Sequence, residues 1–199
     1  MLRPDAVRLG REAAHRLALL GRCEIRPGLT DAEFDQIETT FGFTFADDHR
    51  AFLAAGLPIN GTRPEEGAVR KRPWPDWRDG DEDELRSRLT WPSEGILFAV
   101  EDGAWPASWG TRPEDGTAAA EVAAQRLATA PRLVPVYGHR FLPAGRGTYG
   151  GQVLSIWGDD IIGYGRDLPA WVRNEFRPNR EEASAWERGV PIPFWDEFI

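Results

Sequence analysis

"GLTDAEFDQIETTFGFTFADDHRAFLAAG", residues 28–56, is the stretch on which the fold turns. Thr30 and Glu33 stand at the Thr-x-x-Glu spacing of a capping box, where hydroxyl and carboxylate each take a backbone N–H that the first helical turn leaves unpaired. Leu29 before the cap and Phe34 four positions after it have the placement of a hydrophobic staple. Phe34, Ile37 and Phe41 then share one helical face, and Gly42 is the natural stop because glycine turns left-handed without strain. After "FTF" a second helix is predicted near 46–55, with Phe52 and Leu53 inward and Gly56 as its end. Two short helices joined this closely form an antiparallel or angled hairpin.

Upstream, "DAVRLGREAAHRLALL" (5–20) places Leu9, Ala13, Leu17 and Leu20 at helical spacing before Gly21. This helix is expected outside the main core or on its edge, with "RPGLT" as a linker, so 1–26 read as an appendage to a domain spanning 27–199. Downstream, 57–80 is rich in Gly, Pro and charge and reads as a long loop. A helix starts near Asp81. "GILFAVE" (95–101) is an apolar run of strand length, 102–116 an irregular connection, and "TAAAEVAAQRLATA" (117–130) a strong helix former. "RLVPVYG" and "RFLPA" are short strands around Gly138-His139. "VLSIW" and "IIGY" form a hairpin across Gly158-Asp159-Asp160, and "DLPAWVRNEF" (167–176) is a helix capped by Asp167. The apolar tail "VPIPFWDEFI" is expected to pack back on the body. Hairpin-length connections late in the chain favour an α+β class with a mostly antiparallel sheet flanked by helices.

The composition sets limits. The 199 residues are 41% hydrophobic and include nine Trp, a globular balance rather than a disordered one. No apolar run approaches the ~20 residues of a membrane span, and Cys23 alone cannot form an internal disulfide. The expectation is a cytoplasmic protein without membrane contact, in which Asn60-Gly61-Thr62 is a turn rather than a glycosylation site. The net charge is −8; residues 1–26 hold six Arg against three acids, leaving −11 on the rest. An acidic body repels phosphate backbones and favours basic partners, so nucleic-acid binding is not expected.

Searches for chemistry fail one by one. "GRGTYG" (145–150) matches Gly-x-Gly-x-x-Gly, but a dinucleotide site needs a helix after it and a strand follows here. A kinase loop needs a lysine on the next strand, and Lys71 is the only lysine. A flexible hairpin loop is the simpler reading. His15, His49 and His139 are far apart and lack acids at zinc-ligand spacing. His49 reads as a partly buried helix residue and His139 as a hydrogen-bonded turn residue. Cys23 has no assignable base. No catalytic residue, metal or cofactor is therefore expected.

The remaining oddity is "PWPDWRDGDEDEL" (73–85), where six acids fall within nine positions beside two tryptophans. Placing Gly80 at the sixth position of a calcium loop puts Pro75 and Trp77 where oxygen ligands are required. Asp76 and Glu101 as a glycosidase pair would need a carboxylate separation that sequence does not fix. Asp81 and Glu84 have capping-box spacing, and Glu82 and Asp83 would occupy the first turn, where the helix dipole favours negative charge. Trp74, Trp77, Asp76 and Asp79 are not explained this way. Each tryptophan reads as a buried loop anchor or an outward contact.

The 28–56 segment also resembles the opening of the SUKH superfamily, the Smi/Knr-type cell-wall-assembly-regulator-like proteins. His49 takes the place of the usual tyrosine, and Phe45-Ala46 that of the usual Leu-Pro. "WPSEGILFAVE", "PRLVPVYGHRFLP" and "VLSIWGDDIIGYGRDL" are similar to the sheet of actinobacterial-type members, so the resemblance covers about residues 27–177. It implies an α+β domain and no catalytic residues. It also implies a protein-binding role: bacterial members are commonly immunity proteins that bind and neutralise toxins, often nucleases, and eukaryotic members look like scaffolds. On that reading the partner is a basic toxin domain. The candidate contacts are Trp74, Asp76, Trp77, Asp79, Asp81, Glu82 and Asp83, with Trp105 and Trp109 as a second patch. A regulatory or scaffold protein without a toxin is the alternative, and a carbohydrate- or nucleotide-processing enzyme is a third.

Overall fold

The computed structural model describes residues 2–61, 72–176 and 189–199. The middle of the expected 57–80 loop, with Thr62 and Lys71, therefore lies outside the described residues. Four elements open the chain: α1 (Pro4–Leu20), β1 (Glu24–Arg26), α2 (Asp31–Phe41) and α3 (Asp47–Ala55). The capping box at α2 is complete. The Glu33 N–H donates to Thr30 Oγ1 at 3.3 Å, and the Thr30 N–H donates to Glu33 Oε2 at 2.7 Å. Leu29, Phe34, Ile37 and Phe41 are buried, and Gly42 ends α2 at φ 67°. Arg50 of α3 lies 4.0 Å from the Phe34 ring centroid and reaches Asp31 at 2.7 Å, tying the two helices together.

α1 buries Ala13 and Leu17 of the expected face, but the rest of its buried face is set by small residues. Ala6, Gly10, Ala13 and Leu17 are buried, Leu20 is exposed, and Ala13 and Leu17 join the larger core. The reason is close packing on α3: a Cβ on Gly10 would stand 2.3 Å from the Asp48 carbonyl oxygen and 2.6 Å from the Phe52 nitrogen. Small residues and Leu17 fill this face, and Leu19 and Leu20 are left outside. Gly10→Ala gains up to ~1 kcal/mol in helix propensity but forces the helices apart, which typically costs about 1–3 kcal/mol. Chemical denaturation should therefore find the variant less stable; a stabilised variant would mean that α1 does not sit tightly on α3.

Residues 24–26, expected as the end of the helical appendage, pair antiparallel with β2 (Leu57–Ile59), Ile25 opposite Pro58. Three-residue strands are too short for alternation to reveal them. A larger correction concerns "GILFAVE". It is the end of α4 (Glu82–Glu101), which runs through Pro92. Ile96, Ala99 and Val100 are buried at spacings of three and four, a helical face that a short apolar run hides. Pro92 sits inside this helix without ending it, although a proline there removes one helical hydrogen bond.

After α5 (Gly116–Thr129) the chain forms one antiparallel sheet in the order β3 (Leu133–Tyr137), β4 (Arg140–Pro143), β5 (Val153–Trp157), β6 (Asp160–Gly165). The β5–β6 turn is the residue pair Gly158-Asp159, since Trp157 pairs with Asp160, and Gly158 takes φ 63° as such a turn requires. α6 (Leu168–Glu175) follows its Asp167 cap, whose Oδ1 accepts the Ala170 N–H at 2.8 Å. The architecture is α+β.

Pleating sends neighbouring strand residues to opposite sides, and here both sides are covered. Leu133, Phe141, Leu154 and Ile161 enter a core with Ile96 and Val100 of α4, Ala119 and Ala123 of α5, and Trp195 of the tail. Val134, Leu142 and Val153 enter the larger core with Leu17, Phe34, Phe52, Trp74, Trp77 and Trp171. Each large side chain so buried contributes about 1.5–3 kcal/mol. The tail packs back as its composition requires, with Ile192 and Trp195 buried.

Candidate functional site

The acid-rich segment divides at Trp77. Trp74 is 1% exposed and Trp77 is 4% exposed, so both are core residues and neither is available as a surface contact. Trp74 stacks on Phe176 at 6.0 Å and meets Tyr137 edge-on at 4.7 Å. Trp77 sits edge-on to Phe45 at 5.4 Å and Phe41 at 5.9 Å, closing the C-terminal end of α2. The surrounding loop is pinned by polar bonds. Asn60 accepts the Trp74 N–H at 2.8 Å and returns its own amide to the Trp74 carbonyl at 2.7 Å. Buried Arg88 of α4 donates to the Pro73 carbonyl at 3.1 Å and to the Arg72 carbonyl. Proline-rich chain with no regular hydrogen bonds is thus held by side chains drawn from two other segments.

Beyond that anchor the acids turn outward. Asp76 is half-buried, and its Oδ1 accepts the Asp79 N–H at 3.0 Å, so it builds the turn. Asp81 Oδ1 accepts the Glu84 N–H at 2.8 Å and caps α4. The reciprocal half of that box is missing, because Glu84 points to Arg88 at 2.7 Å instead. Asp79, Asp81, Glu82 and Asp83 are exposed. Asp79 faces Arg26 at 3.4 Å and Glu82 pairs with Arg86 one turn on. Asp81 and Asp83 have no ion pair among the described residues.

The imagined carboxylate pair does not form. Asp76 precedes α4 and Glu101 ends it, and twenty helical residues span ~30 Å at 1.5 Å each, far beyond the separation two glycosidase carboxylates need. Trp109 is buried against Phe194 and Phe198 of the tail, and half-buried Trp105 meets it edge-on at 5.3 Å while its Nε1 donates to the Gly110 carbonyl at 2.9 Å. That pair fastens the tail. His139 lies edge-on to the half-exposed Trp157 ring at 5.8 Å, a neighbour that sequence distance concealed.

"GRGTYG" links β4 to β5, but it is pinned rather than loose. The Gly147 N–H donates to Asp47 Oδ1 at 2.9 Å, the Gly150 N–H to Asp48 Oδ2 at 2.8 Å, and the Gly145 N–H to the Thr44 carbonyl at 2.8 Å. The loop N–H groups that would cradle a phosphate are taken by the two buried aspartates of α3 and by Thr44. Burial pushes the Asp48 carboxyl up to about 6, against the lowering effect of the Gly150 and His49 N–H bonds. His49 is 1% exposed, and neither ring nitrogen has a hydrogen-bond partner among the described residues. Burial holds its imidazole down at about 3, so it is neutral at every ordinary pH. The Arg78 hydrogen bond, then those from Thr30, hold Glu33 down at about 2. Among the described residues, both strongly shifted carboxylates, Asp48 and Glu33, are tied to holding the fold.

Among the described residues no group of three or more His, Cys, Asp or Glu is placed to hold a metal ion, and no helix is long and apolar enough to cross a membrane. An open groove of about 280 Å³ between α1, α3 and β1 is lined by Arg11, His15, Ile25 and Phe52. Comparison of the chain with family models, with curated proteins and with solved structures finds no match.

Proposed function

We propose that the chain is a non-enzymatic protein-binding module that takes a basic protein as its partner. Its type is the immunity protein that neutralises a toxin, in particular a cationic nuclease, by direct binding. The observation that carries this reading is the first turn of α4, where exposed Asp79, Asp81, Glu82 and Asp83 stand on a loop fastened inside by Trp74 and Trp77. Holding several like charges on a rigid base costs self-repulsion and is useful when a surface must attract opposite charge. The net charge of −8 extends the same field over the molecule. Such a field raises the association rate of a cationic partner and makes it salt-dependent. It also repels nucleic acid, so the bound protein would cover the phosphate site of a nuclease rather than compete for its substrate. The resemblance of residues 27–177 to the SUKH superfamily supports the same class.

The test is the kinetics of binding to a basic protein co-purified with the chain. Reversing Asp79, Glu82 and Asp83 to Lys should slow association about tenfold or more at low salt and flatten the salt dependence, leaving dissociation nearly unchanged. Asp81 is spared because it caps the helix. Association that is as fast and as salt-dependent as in the wild type would defeat the reading.

A further inference from the structure

We propose that an arginine-bearing segment of the basic partner docks on an aromatic patch formed by α4 and the β5–β6 hairpin, about half the length of α4 away from the segment that attracts it. This rests on the protein-binding reading above and specifies where contact is made. The patch is built by one close approach. A Cβ on Gly95 would lie 2.4 Å from the Gly158 carbonyl oxygen, so the middle of α4 touches the hairpin turn directly. One turn before Gly95, Trp91 donates its indole N–H to the Ile156 carbonyl at 3.3 Å and meets the Trp157 ring at 5.8 Å. One turn after Gly95, Phe98 follows on the same stripe, since positions three and four apart are neighbours on a helix.

Two large rings are left in solvent here. Trp157 is 53% exposed although Trp91 and His139 flank it, and Phe98 is 65% exposed. The fold offers the patch no cover among the described residues, yet it holds Trp157 between two neighbours in a fixed orientation. Exposed aromatic groups clustered on a rigid support mark interaction sites more often than scattered apolar residues do. Charge decides the occupant. Glu94 adjoins Gly95, and Asp159 and Asp160 adjoin Gly158, so three exposed acids surround the contact, with Glu101 and Asp102 at the end of α4. None of the five has an ion pair among the described residues, whereas Asp79 and Glu82 of the first patch are already paired. A second copy of the chain would bring like charges together, which is costly. A guanidinium satisfies both features at once: it lies flat on an indole face and pairs with a carboxylate at the rim. Lysine does this less well because its ammonium is compact and strongly hydrated.

The two acidic regions therefore divide the work, the start of α4 speeding the encounter and the Trp157 patch holding the bound state. The probe is an arginine-rich peptide and a lysine-rich peptide of equal length and charge. They are titrated at low salt while the indole N–H resonances of the nine tryptophans and the Phe98 amide are followed by NMR. The arginine peptide should move the Trp157 indole and the Phe98 amide, and should bind more tightly than the lysine peptide. Trp157→Ala and, separately, Phe98→Ala should weaken it about 3- to 10-fold, in line with the worth of a cation on an aromatic face, with circular dichroism unchanged. Both side chains are exposed, so neither variant threatens folding. Peptide shifts confined to the first turn of α4, or equal affinity for Trp157→Ala, would overturn the docking site and leave the protein-binding reading standing. Association of the chain with itself through Trp157 in sedimentation would also overturn it. No binding of either peptide anywhere would count against the protein-binding reading itself.

Discussion

Replacing Trp74 by Ala should lower stability to urea by about 3–5 kcal/mol, the usual range for removing a large buried aromatic. The indole lies among Tyr137, Trp171 and Phe176, so its loss opens a cavity where the loop, α6 and the sheet meet. Neighbours fixed by Asn60, Arg88 and the Gly138 N–H bond to the Pro73 carbonyl cannot collapse into that space. For a chain of this length the melting temperature should fall by about 10 °C. Trp74→Phe keeps the stack on Phe176 and removes an indole N–H that has no partner among the described residues, so it should lose far less. A Trp74→Ala protein within 1 kcal/mol of wild type would mean that residues 72–77 do not anchor the loop.

The second large effect is at His49 and is read against pH. Its folded value of about 3 lies below the ordinary 6.5. A group depressed in this way contributes stability above its unfolded value, and that stability is lost as pH falls toward the folded one. Asp48 has the opposite sign. Its value is raised from 3.8 to about 6, so it stabilises at low pH and that contribution is lost as pH rises through 6. Between pH 6 and 4 the two slopes oppose each other, and the wild type should change little. Below pH 4 the loss at His49 continues, joined by Glu33, which is held down at about 2. His49→Leu removes one side of the balance. Its stability should rise from pH 6 to pH 4, the gap to wild type widening by about 1.4 kcal/mol per pH unit. Denaturation curves at three pH values in that window measure this, and a constant gap would mean that the imidazole titrates normally.

What could be read from the sequence follows from how local each signal is. The α2 cap, the α3 ending, the Asp167 cap and the β5–β6 hairpin each depend on residues within one or two turns of one another, and all are where the pattern puts them. The end of α4 is not legible because a run of seven apolar-rich residues looks alike as helix and as strand. Only the pairing of Ile96 and Val100 with α5 and the sheet decides between them. The face of α1 is legible at Ala13 and Leu17 but not at Gly10, which carries no hydrophobic signal although its lack of a side chain is what lets α3 approach. At the candidate site, "DEDEL" was legible as a helix start, while the burial of Trp74 and Trp77 depends on Phe176 and Phe45, far away in the chain. The Trp157 patch is hidden for the same reason: Trp91 and Phe98 of α4, His139 of the β3–β4 turn and Trp157 of β5 come from three separate places in the chain, and the expected strand over 95–101 keeps Phe98 apart from Trp91.

The most direct test of the central claim is carbodiimide coupling, which joins a carboxylate to a lysine only when the two are in contact. The full chain and its basic co-purified partner are coupled, and the joined residues are identified by mass spectrometry. The account predicts links from Glu94, Asp159 or Asp160 beside Trp157 to partner lysines next to the docked arginine segment, and few from Asp83, which acts in the encounter. Links confined to acids elsewhere, such as Asp35 or Glu121, or a partner that couples to none of these positions, would contradict it.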